Sequence, residues 1–278
     1  MPMTYSFRPD RIYRMPTHFG PSVSPRQGPD GQLFDWSEHH FDAASIYFRS
    51  STDALEALLP PGFSLHVDPV VTVTFAFLRN LPWLAGRGYN TLGVRIPAVF
   101  HGKAGKTTGS LSLVLWENMA DPITTGREEL GVAKIFCDIP EPSRSEGTIG
   151  YEASWCGFRF LSMELEDLQP ADSAKERIDL APDTGGNLLH YKYMPRTGAW
   201  GAADAAYTTL TPPVRNAQVK TAFRALGTFA FNRPRWVDMP TQSHIVNGLA
   251  DLPVVETLGA SLVTVAGNFD LYDQKQLA

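Results

Sequence analysis

The sequence predicts a single α+β domain, mostly antiparallel β-sheet with a few short helices at its periphery. Three observations lead there. Segments rich in β-branched and apolar residues recur along most of the chain, and one of them alternates Thr with apolar residues at period two. Helical patterns are few and short. The 22 prolines and 23 glycines among 278 residues supply more turns than a helical bundle uses.

Residues 1–35 are rich in Pro, Gly and polar groups and read as an irregular arm that packs on the core or on a neighbouring subunit. The domain proper spans 36–278. Ala44–Arg49 reads as its first strand. Ser51-Thr52-Asp53-Ala54-Leu55 then has good N-cap chemistry for a helix over Thr52–Leu59, which Pro60-Pro61 stops. Val70–Phe77 carries the Thr alternation. Further strands are expected at Val94–Phe100, Ser110–Trp116, Ala133–Ile139, Gly147–Glu164, Leu188–Met194, Ala205–Leu210 and Ser261–Phe269. Short helices are expected at Gly126–Leu130 and Asn247–Ala250. Pro170–Asp183 is a polar, charged loop and not a domain boundary, so one domain is expected.

Composition excludes several classes of function. With a formal net charge of −5, the chain has no basic footprint for nucleic acid. No apolar run is long enough to span a bilayer, and the N-terminus lacks an apolar signal region, so a cytoplasmic protein off the membrane is expected. Cys137 and Cys156 cannot make a disulfide framework and read as buried free thiols in a reducing compartment. His39 and His40 are adjacent, so on a strand they point to opposite faces, and the other histidines have no metal-ligand spacing. No metal site is expected. Gly102–Thr107 fails as a phosphate loop because Phe100 stands where its first glycine belongs. There is no nucleophile elbow and no dinucleotide fingerprint.

The chemistry sits in Trp116–Phe136. Thr125 and Glu128 fit a capping box, so a helix is expected to begin at Gly126 and to stop at Gly131. The chain then enters an apolar strand with Lys134 at its start, between Val132-Ala133 and Ile135-Phe136. A free lysine titrates near ~10.4 and is a poor nucleophile at neutral pH. Desolvation disfavours the ammonium, here by Val132, Ile135 and Phe136, and a neutral amine adds to a ketone to form an iminium. The iminium is an electron sink that eases C–C cleavage, decarboxylation, aldol addition or dehydration beside it. The plainer reading is a lysine that snorkels from a strand edge.

The string Gly126-Arg127-Glu128-Glu129-Leu130-Gly131-Val132-Ala133-Lys134 resembles the signature of the acetoacetate decarboxylase-like superfamily, where Gly-Arg-Glu precedes a Schiff-base lysine by a fixed interval. Three further strings match in order: Ile46–Leu55, Arg95–Gly102 and Leu249–Glu256. The resemblance spans residues 38–275. It implies the family's barrel or sheet, Lys134 as the nucleophilic amine, no cofactor, a small keto acid as partner and a homo-oligomer. True acetoacetate decarboxylases carry a second lysine after the first; here Ile135 stands there. They also place an arginine and two glutamates around the pocket, and the matching positions are Phe41, Ala76 and Thr91. These departures resemble the divergent branch of pyruvate aldolase-dehydratases and hydratases.

Such chemistry needs a proton shuttle. Glu117, directly after the apolar strand Leu111–Trp116, is the candidate. Tyr89 and Asn90 are candidates to hydrogen-bond a substrate carboxylate or hydroxyl. Arg127 and Glu128 hold the helix to its neighbours, and either is placed to line the pocket. Three functions stay open: a lyase of the aldolase-dehydratase or hydratase type acting on a 2-oxo acid, a β-keto acid decarboxylase, and a binder of small carbonyl compounds that has lost catalysis.

Overall fold

A computed structural model describes residues 6–172, 178–268, 271 and 273–278. Phe269 of the last expected strand, residues 1–5 of the arm and 173–177 of the polar loop lie outside them. In chain order the elements are β1 (His40–Arg49), α1 (Thr52–Glu56), β2 (Phe63–Leu65), β3 (Val70–Arg79), β4 (Tyr89–Gly102), β5 (Gly105–Glu117), α2 (Ala120–Thr125), β6 (Lys134–Phe136), β7 (Ser143–Ser145), β8 (Thr148–Trp155), β9 (Phe158–Pro170), β10 (Leu188–Pro195), β11 (Ala203–Thr211), β12 (Arg215–Phe231), α3 (Ser243–Ala250), β13 (Glu256–Asn268) and β14 (Lys275–Gln276).

The strands form one open sheet in the order β14-β11-β10-β5-β4-β3-β1-β13-β12-β9-β8-β7, with β2 beside β4 and β6 beside β5. All pairings are antiparallel except those of β10 and β6 with β5, which run parallel along the same edge of that strand. β10 takes Ser110 and Leu111; β6 takes Leu115 to Glu117. The α+β expectation holds.

The period-two pattern divides the central strands into two unlike faces. One face carries Ala44, Ile46 and Phe48 of β1, Val71, Val73, Phe75 and Phe77 of β3, Leu92, Val94 and Ile96 of β4, and Val114 and Trp116 of β5. All are buried in the main core with Phe160, Met163, Val246 and Leu249. The opposite face is polar and also buried: Ser45, Thr72, Thr74, Thr91, Ser112, Glu117, Lys134, His190 and Ser261 are each less than 10% exposed. Burying polar groups is costly unless they pair. Ser45 Oγ lies 2.8 Å from Thr74 Oγ1, and Tyr47 Oη lies 3.1 Å from Ser261 Oγ.

Cross-strand register orders this polar face into rows. Tyr47, Thr72, Arg95 and Ser112 form one; Ser45, Thr74, Gly93, Leu115 and Lys134 the next; Ala43, Ala76, Thr91, Glu117 and Phe136 the third; Phe41, Leu78 and Tyr89 the fourth. A bulge at Leu113 shifts the register between Val94 and Arg95, which sets Ser112 beside Arg95 on the polar face.

Several expectations need correction. Gly147–Glu164 is a hairpin and not one strand: Cys156 and Gly157 both have positive φ (47° and 85°), as a tight two-residue turn requires. Cys156 is therefore exposed at the turn; only Cys137 is buried, where burial pushes its thiol far up. β12 was not foreseen at all. Gly227 interrupts its inward positions, because a Cβ there would fall 2.8 Å from Ala260 and from Ile46. Its outward positions include the exposed Leu226, so no apolar alternation shows.

The arm packs on its own chain. Trp36 is buried with Leu81 and Trp83, and its Nε1 donates to Pro25 O at 3.2 Å. Arg14 donates to Thr125 Oγ1 and to Val23 O, tying the arm to α2. Arg26 Nε donates to Leu271 O at 3.0 Å.

Candidate active site

Lys134 opens β6 and points onto the polar face, where it is 7% exposed. Its Nζ lies 2.8 Å from Glu117 Oε1 and donates to Pro122 O at 3.1 Å. The ring centroid of Tyr89 is 5.9 Å from the same nitrogen, within reach of a cation–π contact. Parallel pairing explains the meeting with Glu117. Lys134 is level with Leu115 and Phe136 with Glu117, so the lysine stands one pleat away from the acid on the same face. β6 is held there by Gln242, which accepts from Trp116 Nε1 at 2.7 Å and donates to Phe136 O at 2.9 Å.

The segment before Lys134 folds differently from the expected capping box. The helix begins at Ala120, with Asp121 and Pro122 in its first turn, a favourable start. Thr125 therefore lies inside the helix and donates to Asp121 O at 2.9 Å. The helix continues over Gly126–Leu130 as one π-helical turn, a feature that recurs at functional sites. Gly131 ends it in the left-handed region at φ 82°, as the sequence suggests.

The lysine's surroundings also differ from expectation. Ile135 turns to the apolar core and Phe136 is 43% exposed, so neither covers the amine. The cover comes from the helix: the Pro122 carbonyl receives Nζ, and Gly126 lies against the aliphatic stem.

Glu117 is 1% exposed, and its Oε2 has no hydrogen-bond partner among the described residues. Burial raises its carboxyl above the ordinary range, and the neighbouring Lys134 opposes that rise. Burial, reinforced by Glu117, pushes the Tyr89 phenol well above its usual value. Tyr89 is thus a hydrogen-bond donor at neutral pH and not a base.

The other sequence candidates divide. Ala76 and Thr91 fall in the row of Glu117, and Phe41 falls in the row of Tyr89, all on the polar face. Asn90 is not brought to this cluster. It follows Tyr89 on β4 and so points to the other face, where it donates to Ile139 O at 3.0 Å and accepts from Arg79 Nη1 at 3.0 Å. Arg127 is exposed, and its Nη1 donates to the backbone carbonyl of Lys134 at 3.0 Å, which secures β6.

Two residues of the polar face were missed by sequence reasoning. Arg95 is half-buried, one pleat from Gly93, and its Nη2 donates to Thr74 Oγ1 at 3.5 Å. Among the described residues no carboxylate pairs with it. His190 is 3% exposed on β10, next to the position paired with Leu111. Burial, with the charges of Lys134 and Arg95, pushes its pKa down to about 3. A signal existed for Arg95: it interrupts the apolar strand Val94–Phe100 as Lys134 interrupts its own.

The same fold occurs in known proteins. The structure is similar to acetoacetate decarboxylase from Legionella pneumophila subsp. pneumophila str. Philadelphia 1, with 17% identity, 90% of this chain and 92% of that one covered, and a TM-score of 0.65. It is also similar to an acetoacetate decarboxylase-like enzyme from Sphingomonas wittichii RW1 (16% identity, 90% and 97% covered, TM-score 0.63). A third similar structure is the enduracididine biosynthesis enzyme MppR in complex with the condensation product of pyruvate and imidazole 4-carboxaldehyde (16% identity, 86% of each chain, TM-score 0.61). These identities speak to the fold alone. No curated protein matches the sequence. The family pattern described as acetoacetate decarboxylase (ADC) matches residues 14–272, nearly the whole chain. The protein therefore belongs to the acetoacetate decarboxylase family, a family of lyase-type enzymes.

Proposed function

We propose that the protein is a Schiff-base-forming lyase in which Lys134 condenses with the carbonyl of a small 2-oxo acid, for aldolase-dehydratase or hydratase chemistry. The observation that carries this reading is the buried pair of Lys134 Nζ and Glu117 Oε1 at 2.8 Å. Glu117 takes a proton from the ammonium, which leaves both groups neutral. Burial raises the Glu117 carboxyl's hold on a proton, so this transfer is within reach. The amine lone pair adds to the substrate's C2 carbonyl carbon, and the carbonyl oxygen takes up the proton from Glu117. The new nitrogen returns a proton to Glu117. The hydroxyl then leaves as water with that proton, and the iminium forms. Glu117, again a carboxylate, removes a proton from the carbon next to the iminium and yields an enamine nucleophile. Tyr89, protonated, donates a hydrogen bond to the departing oxygen in this scheme.

Arg95 supplies the anchor for the substrate carboxylate. It lies one pleat beyond the row of Lys134, reaches back to Thr74 within that row, and has no carboxylate of its own among the described residues. Arg–carboxylate hydrogen bonds are among the stronger ones available.

A second reading is decarboxylation of a 3-oxo acid through the same iminium, and the family's own name favours it. Against it stand Ala76 and Thr91, which leave Glu117 the only carboxylate in its row. Proton NMR of pyruvate in heavy water separates the two. The aldolase-type reading expects deuterium to enter the pyruvate methyl group in the presence of the protein and not of a Lys134→Met variant. Rapid release of carbon dioxide from acetoacetate with no methyl exchange in pyruvate contradicts it and favours the second reading.

A further inference from the structure

His190 is a buried histidine that the steps above do not use, and its hydrogen bonds fix which ring nitrogen carries the proton. The Leu130 carbonyl can only accept. It receives Gln274 Nε2 at 2.8 Å, so the amide nitrogen of Gln274 faces it and Oε1 faces away. Oε1, also only an acceptor, receives the hydroxyl proton of Thr211 at 2.5 Å. The Thr211 oxygen has then given its proton away, so at 3.0 Å it accepts from His190 Nε2. His190 is therefore the Nε2–H tautomer. Its Nδ1 keeps a bare lone pair, is buried, and has no hydrogen-bond partner among the described residues.

A buried acceptor without a donor is destabilising, and such groups are uncommon unless something arrives to fill them. The residue lies on the buried polar face. His190 follows the Leu189–Leu111 pair, which puts it alongside Ser112, and Arg95 pairs with Ser112 from the other side. Two strand spacings separate the backbones of Arg95 and His190, about 10 Å. The fields of both Lys134 and Arg95 reach the ring. An imidazole so strongly held neutral is a poor proton carrier, and its service is as a fixed acceptor.

We propose that His190 Nδ1 accepts a hydrogen bond from a hydroxyl group on the substrate, so that the site selects hydroxylated 2-oxo acids over their deoxy analogues. This rests on the Schiff-base reading above and narrows its substrate class. With C2 bound to Lys134 and the carboxylate at Arg95, the hydroxyl belongs on the far part of the chain. An aldol product of a 2-oxo acid and an aldehyde carries its hydroxyl there, at C4. His190 is a specificity-determining residue in this account and takes no part in bond-making.

The test is reductive trapping with cyanoborohydride, using 4-hydroxy-2-oxopentanoate and 2-oxopentanoate, which differ only in the hydroxyl group. Lys134 labelling is followed by peptide mass, counting the hydroxy acid adduct together with any pyruvate adduct released by cleavage. The wild type is expected to reach half-labelling at about tenfold lower concentration of the hydroxy acid, the worth of one hydrogen bond to an otherwise unfilled acceptor. His190→Phe is expected to abolish that preference while labelling by 2-oxopentanoate persists. Thr211→Val, which removes the acceptor that fixes the tautomer without touching substrate, is expected to narrow the preference and serves if His190→Phe does not fold. Equal labelling by both acids in the wild type, or a preference that survives both substitutions, overturns the inference and leaves the imine standing. No labelling of the wild type by either acid overturns the Schiff-base reading and this inference with it.

Discussion

The backbone of Gly126 and the stem of Lys134 occupy adjoining space so tightly that a Cβ added to Gly126 would stand 2.2 Å from Lys134 Cδ and 2.5 Å from Cε. Gly126 has ordinary helical angles, φ −61° and ψ −42°, so its backbone makes no demand for glycine. The demand is the lysine's passage from β6 to Glu117.

Gly126→Ala is accordingly expected to leave the sheet folded and to displace the amine. Alanine favours a helix over glycine by ~1 kcal/mol, whereas overpacking costs ~1–3 kcal/mol, so the net effect on stability is small. Imine formation should fall by far more than stability does. Thermal unfolding set beside borohydride labelling checks this. Full labelling with an unchanged melting point contradicts the packing argument.

Arg95→Gln is expected to weaken keto acid binding by ~10–100-fold, the worth of a charge-assisted hydrogen bond. Labelling by a ketone that lacks a carboxylate, such as acetone, should not change. Equal losses with both ligands indicate a general disturbance of the site and argue against an anchor.

Glu117 can be isolated by comparing Lys134→Met with the double variant Lys134→Met, Glu117→Gln. Without the lysine, burial alone acts on the carboxyl and holds its folded-state pKa above the ordinary 4.5. The folded protein then binds more protons than the unfolded chain above pH 4.5. The single variant should lose stability relative to the double one as pH rises from there through the raised pKa, by at most ~1.4 kcal/mol per pH unit. Urea unfolding across that range reads it. A difference that stays flat with pH contradicts the buried acid.

His190 has the opposite sign. Its folded pKa of about 3 lies below the ordinary 6.5, so the unfolded chain takes up its proton first as pH falls. Stability present above pH 6.5 should be lost on the way down towards pH 3, with a slope of at most ~1.4 kcal/mol per unit. His190→Phe should remove that component. Parallel acid-unfolding curves for wild type and variant contradict a neutral buried imidazole.

The fold was legible wherever one face of a strand had to be apolar. The Thr alternation of Val70–Phe77 became the two faces of β3, with Thr72 and Thr74 on the polar side. β12 was not legible, because Gly227 sits where an apolar side chain belongs and makes room for Ile46. Lys134 and Glu117 were found as charges in or beside apolar strands, and the register brings them together. Asn90 was misplaced because one residue along a strand reverses the face. Arg95 showed locally as a charge in an apolar strand, but its alignment with His190 across β4, β5 and β10 is a matter of register, a long-range relation that no local pattern encodes.

The central claim is that Lys134 is the imine-forming amine, and one measurement meets it directly. The protein is incubated separately with pyruvate and with acetoacetate, reduced with borohydride, and read by intact mass and peptide mapping. The account predicts one adduct, on the peptide that contains Lys134, faster with pyruvate than with acetoacetate and absent from Lys134→Met. An adduct on another lysine, or no adduct on the folded wild type with either acid, contradicts it.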